Sequence, residues 1–312
     1  VNILSEMDHP NIVKYYESYE DDNYINIVME YLEGNDLFKL ITSRKSNKFT
    51  EKELAEIVTN LFKALSYIHN KNIVHRDIKP ENILFSKDGS LGTLKIIDFG
   101  LSTCLKSDNK YRVGSPYYMA PEIIHGNFSY KTDVWSVGVI LYVMLTGHFP
   151  FHAKKYDEVF EKILNKPYEI KYLKNANCSS EVIDLISKLL VKNQEERLSV
   201  EEALNHEWFS FSKDDNAKLQ KGFDSEIINN LKTFAIKSLF QKEVMFYIAK
   251  LSKEEEIYKL KKTFMELDTD NTGTLDIEEI KKGFNIVGIK IENVNFSTFY
   301  FFIFLYFYIG RT

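Results

Sequence analysis

Asp77 and Lys79 stand two residues apart in the run His75-Arg76-Asp77-Ile78-Lys79-Pro80-Glu81-Asn82, and a second carboxylate follows in Asp98-Phe99-Gly100. The side-chain oxygens of Asn82 and Asp98 are hard ligands suited to magnesium, which otherwise relies on phosphates and water. With Lys79 as a cation and Asp77 as a base, these residue types suit charge-neutralised group transfer to a hydroxyl. Taken singly, Asp77 or Asp98 reads as a turn or capping carboxylate, and His75 as a satisfied core histidine. The information lies in the series and its spacing, which Ala120-Pro121-Glu122 completes.

This series resembles the protein kinase family, and the match runs from about Val1 to Phe209. The resemblance implies that Asp77 orients the acceptor hydroxyl and takes its proton, while Lys79 neutralises the transferring phosphoryl group. Asn82 and Asp98 would hold Mg2+ together with ATP. Lys79, two residues after the aspartate, is the serine/threonine-type signature of the family. Ser115, in Gly114-Ser115-Pro116, matches the small hydroxyl residue that contacts the catalytic aspartate and lysine. Asp133 would hold the loop backbone, and Glu122 with Arg197 would form a buried ion pair. Leu4, Tyr15, His75 and Phe99 would stack as the apolar spine of the active state.

On the nucleotide side the same resemblance places Met29 at the gatekeeper position, Glu30 to Leu32 in the hinge beside adenine, and Leu84 under the ring. Asp36 and Glu81 go with this group. They fall where related kinases face a basic side chain three residues before the acceptor. Nothing matches the G-x-G-x-x-G phosphate loop or the V-A-I-K lysine, and the family's helix glutamate would fall one residue before Val1. The chain is therefore expected to be an incomplete kinase domain, inactive by itself.

Residues 268–279 place oxygen-bearing side chains at positions 1, 3, 5, 9 and 12 of a twelve-residue run, with Gly273 at position 6. They resemble an EF-hand loop, which implies Ca2+ ligands from Asp268, Asp270, Thr272, Asp276 and Glu279 and from the Thr274 carbonyl. Thr272 departs from the usual Asp or Asn and gives a neutral, weaker ligand. A kinase domain followed by a junction and EF-hands is the order of the calcium-dependent protein kinases, and residues 223–249 match the autoinhibitory junction. Between Asp98 and Ser115 the hydroxyl residues are Ser102, Thr103, Ser107 and Tyr111, with no Ser or Thr in the final turn before Gly114. Calcium rather than activation-loop phosphorylation is the expected switch.

The elements that must position these residues are legible in the hydrophobic pattern. Residues 23–30 read as a strand, and apolar runs at 83–97 flank Lys87-Asp88-Gly89-Ser90 as a hairpin. Thr50 and Glu53 form a capping box ahead of Leu54, Ile57, Val58, Leu61, Leu65 and Ile68 on one helical face. Val134–Leu145 is apolar nearly all round, too short to span a bilayer, and reads as a buried helix. Further helices are expected at 156–165 and 180–191, and 199–209 closes the compact region with Trp208 and Phe209.

A net charge of −5 without a basic arm argues against a nucleic-acid partner. Two cysteines, Cys104 and Cys178, without C-x-x-C spacing exclude a disulfide framework and a cysteine-rich zinc site, and suit a reducing, cytoplasmic setting. The apolar run 299–309 is 11 residues, short for a membrane span, and reads as an artefactual end of the coding sequence.

The expected fold class is α+β, a two-lobed kinase-like domain with a truncated N-terminal lobe over 1–209 and an all-α EF-hand segment after it. The junction covers 210–250, the EF-hand 251–288 and the apolar tail 289–312. The expected function is calcium-regulated transfer of the ATP γ-phosphoryl group to Ser or Thr of protein substrates, with the junction as an intramolecular partner. A catalytically inactive scaffold, or a kinase whose EF-hand region is structural only, are the alternatives.

Overall fold

The computed structural model describes residues 2–44, 49–87, 94–105 and 113–210 of the 312. The expected EF-hand, the apolar tail and all but the first residue of the junction lie outside the described residues, as do Ser107 and Tyr111.

Strands dominate the N-terminal end. β1 (Tyr15–Glu20) and β2 (Ile25–Met29) form an antiparallel hairpin. Its turn is made by Asp21, whose Oδ1 accepts the N–H groups of Asn23 and Tyr24 at 2.9 and 2.8 Å. That turn absorbs Asn23 and Tyr24, so the strand is shorter than the 23–30 pattern suggests. α1 (Leu37–Ser43) follows, capped by Asp36, whose Oδ1 accepts the Lys39 N–H at 2.7 Å.

α2 (Glu51–Asn70) starts at the expected capping box: Thr50 N–H donates to Glu53 Oε2 at 2.7 Å, and Glu53 N–H donates to Thr50 Oγ1 at 3.2 Å. Leu54, Ile57, Val58, Leu61, Leu65 and Ile68 are each 0% exposed. Each such side chain contributes about 1.5–3 kcal/mol by leaving water. Then come β3 (Ile73–Val74), β4 (Ile83–Phe85), β5 (Leu94–Ile96) and β6 (Thr103–Cys104). β4 and β5 form the hairpin expected over 83–97, with Ile83 opposite Ile96, Leu84 opposite Lys95 and Phe85 opposite Leu94. β3 pairs with β6, which brackets the stretch 75–102 that holds the 75–82 loop and the β4–β5 hairpin.

The C-terminal half is helical: α3 (Pro121–Ile124), α4 (Tyr130–Thr146), α5 (Tyr156–Asn165), α6 (Ile170–Asn175), α7 (Ser180–Leu189) and α8 (Val200–Leu204). α4 is buried all round from Thr132 to Leu145 because α2, α6 and α7 pack on its different sides. No described helix is long and apolar enough to cross a membrane. The closing stretch 199–209 is α-helical as far as Leu204 and breaks there. His206 Nδ1 instead accepts the Trp208 N–H at 3.3 Å and caps a 3-10 turn over Glu207–Phe209. The break turns Trp208 inward, where its Nε1 donates to Glu51 Oε2 at 2.8 Å. The same carboxylate receives the Ser179 N–H and hydroxyl at 2.8 and 2.6 Å, tying the starts of α2 and α7 to the end of the described chain.

Candidate active site

The loop 75–82 leaves β3 and returns through β4, and a residue far along the chain sets its backbone. Asp133, in the first turn of α4, is 0% exposed. Its Oδ2 accepts the His75 N–H and its Oδ1 the Arg76 N–H, both at 2.9 Å. His69, in the last turn of α2, places Nε2 2.9 Å from the same Oδ2. These bonds hold Arg76 at φ +67, a left-handed conformation that costs a non-glycine residue about 1–3 kcal/mol. Gly114 packs against this bend at φ +111, where a Cβ would lie 2.7 Å from the Arg76 carbonyl oxygen. Only glycine fits both constraints. The Arg76 side chain turns back, donating from Nε to the Leu101 carbonyl at 2.8 Å and resting over the Phe128 ring.

Asp77, 8% exposed, sits at the centre of a closed polar set. Its Oδ1 accepts the Ser115 N–H at 3.1 Å and hydroxyl at 3.0 Å. Its Oδ2 accepts Lys79 Nζ at 2.7 Å and Asn82 Nδ2 at 3.1 Å. Lys79 Nζ also reaches Ser115 Oγ at 3.1 Å. Asn82 Nδ2 donates in addition to the Asp77 carbonyl at 3.0 Å, which leaves Asn82 Oδ1 as the amide atom with oxygen character to offer a cation. Asp98 is exposed, and its Oδ1 accepts the Gly100 N–H at 2.8 Å. The donor set fits magnesium, which takes one or two protein oxygens and fills its shell with phosphates and water.

His75 and Phe99 meet edge to face with ring centroids 4.9 Å apart, while Leu4 is buried and Tyr15 half-buried against the same core. Burial pushes the His75 imidazole below the ordinary histidine range, against a weaker upward pull from Asp133, Asp77 and Asp98. Burial alone would raise the Asp133 carboxyl, but the His69 hydrogen bond and the neighbouring histidines hold it below the ordinary range.

These shifts set a pH dependence. A histidine kept neutral in the fold is protonated more readily in the unfolded chain. Stability from His75 should be full above about pH 6.5 and fall as pH drops below it. The Asp133 contribution persists to lower pH, since a depressed carboxylate pKa is lost only below its ordinary value of 3.8. Urea midpoints at about pH 7.5 and about pH 5.5 measure the effect. His75→Phe should flatten the decline between them, and an unchanged slope would remove His75 as its source.

Most of the residues expected on the nucleotide side lie around the link between the hairpin and α1. Met29 ends β2 and is 38% exposed, while Glu30 and Leu32 are half-buried. Gly34 lies directly on the Phe85 carbonyl, whose oxygen a Cβ there would overlap, and its N–H donates to that oxygen at 3.0 Å. Leu84 is half-buried on β4 and bridges to Asp36. The Asp36 carboxylate is engaged in capping α1 and lies 3.5 Å from Lys39. Glu81 is exposed and near enough to Tyr118 to add to the upward push that burial gives that phenol. Supporting the loop that carries Ser115, Glu122 and Arg197 pair through two short bonds of 2.7 and 2.9 Å.

Two residues at this site escaped the sequence reading. His69 carries no local signal, because its partner Asp133 is 64 residues away. Lys95 carried one: a lysine inside the apolar run Leu94-Lys95-Ile96-Ile97 needs a buried partner. That partner is Glu30, at 2.7 Å.

Known proteins resemble this chain over most of its length. The protein kinase domain family matches residues 1–209. Calcium-dependent protein kinase 5 of Plasmodium falciparum (isolate 3D7) is 40% identical over 280 residues, 89% of this chain and 49% of the relative. Calcium-dependent protein kinase 3 of Plasmodium yoelii yoelii is 35% identical over 294 residues, 93% of this chain and 54% of the relative. The chain thus spans about half the length of the curated relatives it matches. With the family match covering residues 1–209 of the 312, the chain belongs to the protein kinase family.

Proposed function

We propose that the full-length protein is a serine/threonine kinase that transfers the ATP γ-phosphoryl group to protein hydroxyls and is switched on by calcium. The observation that carries this reading is the Asp77 carboxylate, fixed by Lys79, Asn82 and Ser115 within 2.7–3.1 Å. A carboxylate held on both oxygens is aimed at one acceptor and can take its proton as the new bond forms. Lys79 stands within 2.7 Å of it, where negative charge would develop on the transferring group. Bound ATP and magnesium supply the transferable phosphoryl and neutralise its charge; Asn82 Oδ1 and Asp98 are the oxygens suited to hold the metal. Glu81, exposed beside the loop, supports a preference for a basic residue upstream of the acceptor.

The calcium half rests on the ligand pattern of residues 268–279 and on the relatives being calcium-dependent protein kinases by name. Calcium at Asp268, Asp270, Thr272, Thr274, Asp276 and Glu279 would reorient the flanking helices and expose an apolar face able to capture residues 226–249. The test is peptide phosphorylation by the full-length protein with ATP and magnesium, with and without calcium. Glu279→Gln removes a bidentate ligand charge and should cut calcium activation severalfold. Unchanged activation would take this loop out of the switch, and no phosphorylation by the parent protein would favour a scaffold.

A further inference from the structure

Lys95 is 5% exposed although it sits in a strand of otherwise apolar residues. Its Nζ lies 2.7 Å from Glu30 Oε1, with the two side chains 7% and 10% exposed. The same Glu30 oxygen accepts the Lys14 backbone N–H at 2.7 Å, and the Glu30 N–H donates to the Lys14 carbonyl at 2.9 Å. The segment before Lys14 is bonded to β5 in turn. Val13 N–H donates to the Ile96 carbonyl and Ile96 N–H to the Asn11 carbonyl, each at 2.9 Å. The stretch 11–14, the hinge at Glu30 and the strand that runs into Asp98 therefore meet at one carboxylate.

Placement on the sheet gives the pair its meaning. Lys95 is the direct cross-strand partner of Leu84, so both side chains lie on the same face of the β4–β5 hairpin. That is the face on which the adenine ring would rest. An ion pair this buried is a weak source of stability, and apolar residues of similar volume would serve as well or better. What it supplies is a fixed distance, because a short charged hydrogen bond tolerates less sliding than an apolar contact.

We propose that Lys95 is a positioning residue for ATP. By holding Glu30 it fixes the separation between the hinge backbone, which would meet adenine, and Asp98, which would meet the phosphate-bound magnesium. This rests on the kinase reading given above. A nucleotide anchored at both ends binds well only when its anchors stand at the right separation.

The experiment uses the full-length protein with MgATP and a serine peptide. Lys95→Met should raise the KM for ATP about tenfold, with a much smaller change in the KM for peptide. Lys95→Arg keeps the charge and a donor and should recover most of that affinity. Lys95→Met leaves the buried Glu30 carboxylate without its cation, with the Lys14 N–H still on it, and will also lower Tm, so the double variant Lys95→Met/Glu30→Gln separates the two effects. It removes the charge that has lost its cation and should restore Tm while the ATP KM stays high. An unchanged ATP KM in Lys95→Met, or recovery of KM and Tm together in the double variant, would overturn the proposal. Failure of the kinase reading itself would show earlier, as absence of phosphorylation by the parent protein.

Discussion

Asn in place of Asp77 should lower turnover in the full-length protein by about three orders of magnitude while moving the ATP KM by less than about threefold. An amide has the shape of the carboxylate but no basicity near neutral pH. It also leaves Lys79 without the oxygen that now holds it at 2.7 Å. Ser115 can still donate to the amide oxygen, so the loop 113–122 keeps one of its ties. Asp77 touches none of the hinge residues, which is why nucleotide affinity should survive. Steady-state kinetics with varied ATP and varied peptide separates the two parameters. Near-parental turnover would remove Asp77 from the role of base.

The second large effect is on stability. Arg197 is 1% exposed, and its guanidinium donates to both Glu122 oxygens and to the carbonyls of Val191, Lys131 and Lys192. It also lies 5.0 Å from the Trp135 ring centroid. Arg197→Met keeps much of the volume but strands the Glu122 carboxylate and those carbonyls in the interior. The cost should be about 3–5 kcal/mol, or roughly 10 °C in Tm for a domain of this size. Adding Glu122→Leu to that variant should recover a large part of the loss. Thermal and urea unfolding measure it, and a loss below about 1 kcal/mol would mean that the site collapses around the deletion. Because Glu122 closes the loop that carries Ser115, the single variant should lose activity at temperatures well below its unfolding.

Much of this was legible in the sequence because it is local. The α2 capping box needs only Thr50 and Glu53, three residues apart, and its buried face follows from helical period. The 83–97 hairpin needs only two apolar runs and a turn. Asp77, Lys79 and Asn82 fall within a six-residue stretch, so spacing alone brought them together. What the sequence concealed was non-local or depended on competition for a side chain. The pairing of His69 with Asp133 and of Lys95 with Glu30 follows from topology that no window reveals. The resemblance places Asp36 facing a substrate, and only the fold shows that its carboxylate also caps the first turn of α1. Residues 199–209 read as the close of the compact region, but that Trp208 reaches Glu51, 157 residues away, is visible only in the fold.

The tie between Asp133 and the loop at His75 and Arg76 also orders events during synthesis. The hydrogen bonds from those two backbone N–H groups span 58 and 57 residues of chain. A nascent chain that has emerged only through α3 already carries Asp77, Lys79, Asn82 and Asp98, yet lacks the Asp133 carboxylate that accepts the His75 and Arg76 N–H groups at the left-handed bend. Closing so long a loop requires α4 to dock first, and distant contacts of this kind form late. Reactive geometry around Asp77 is thus withheld from the growing polypeptide until the large helical core has condensed. Ribosome-stalled chains ending before and after α4 should differ accordingly, the shorter ones being cleaved by protease near residues 75–82 and the longer ones protected there.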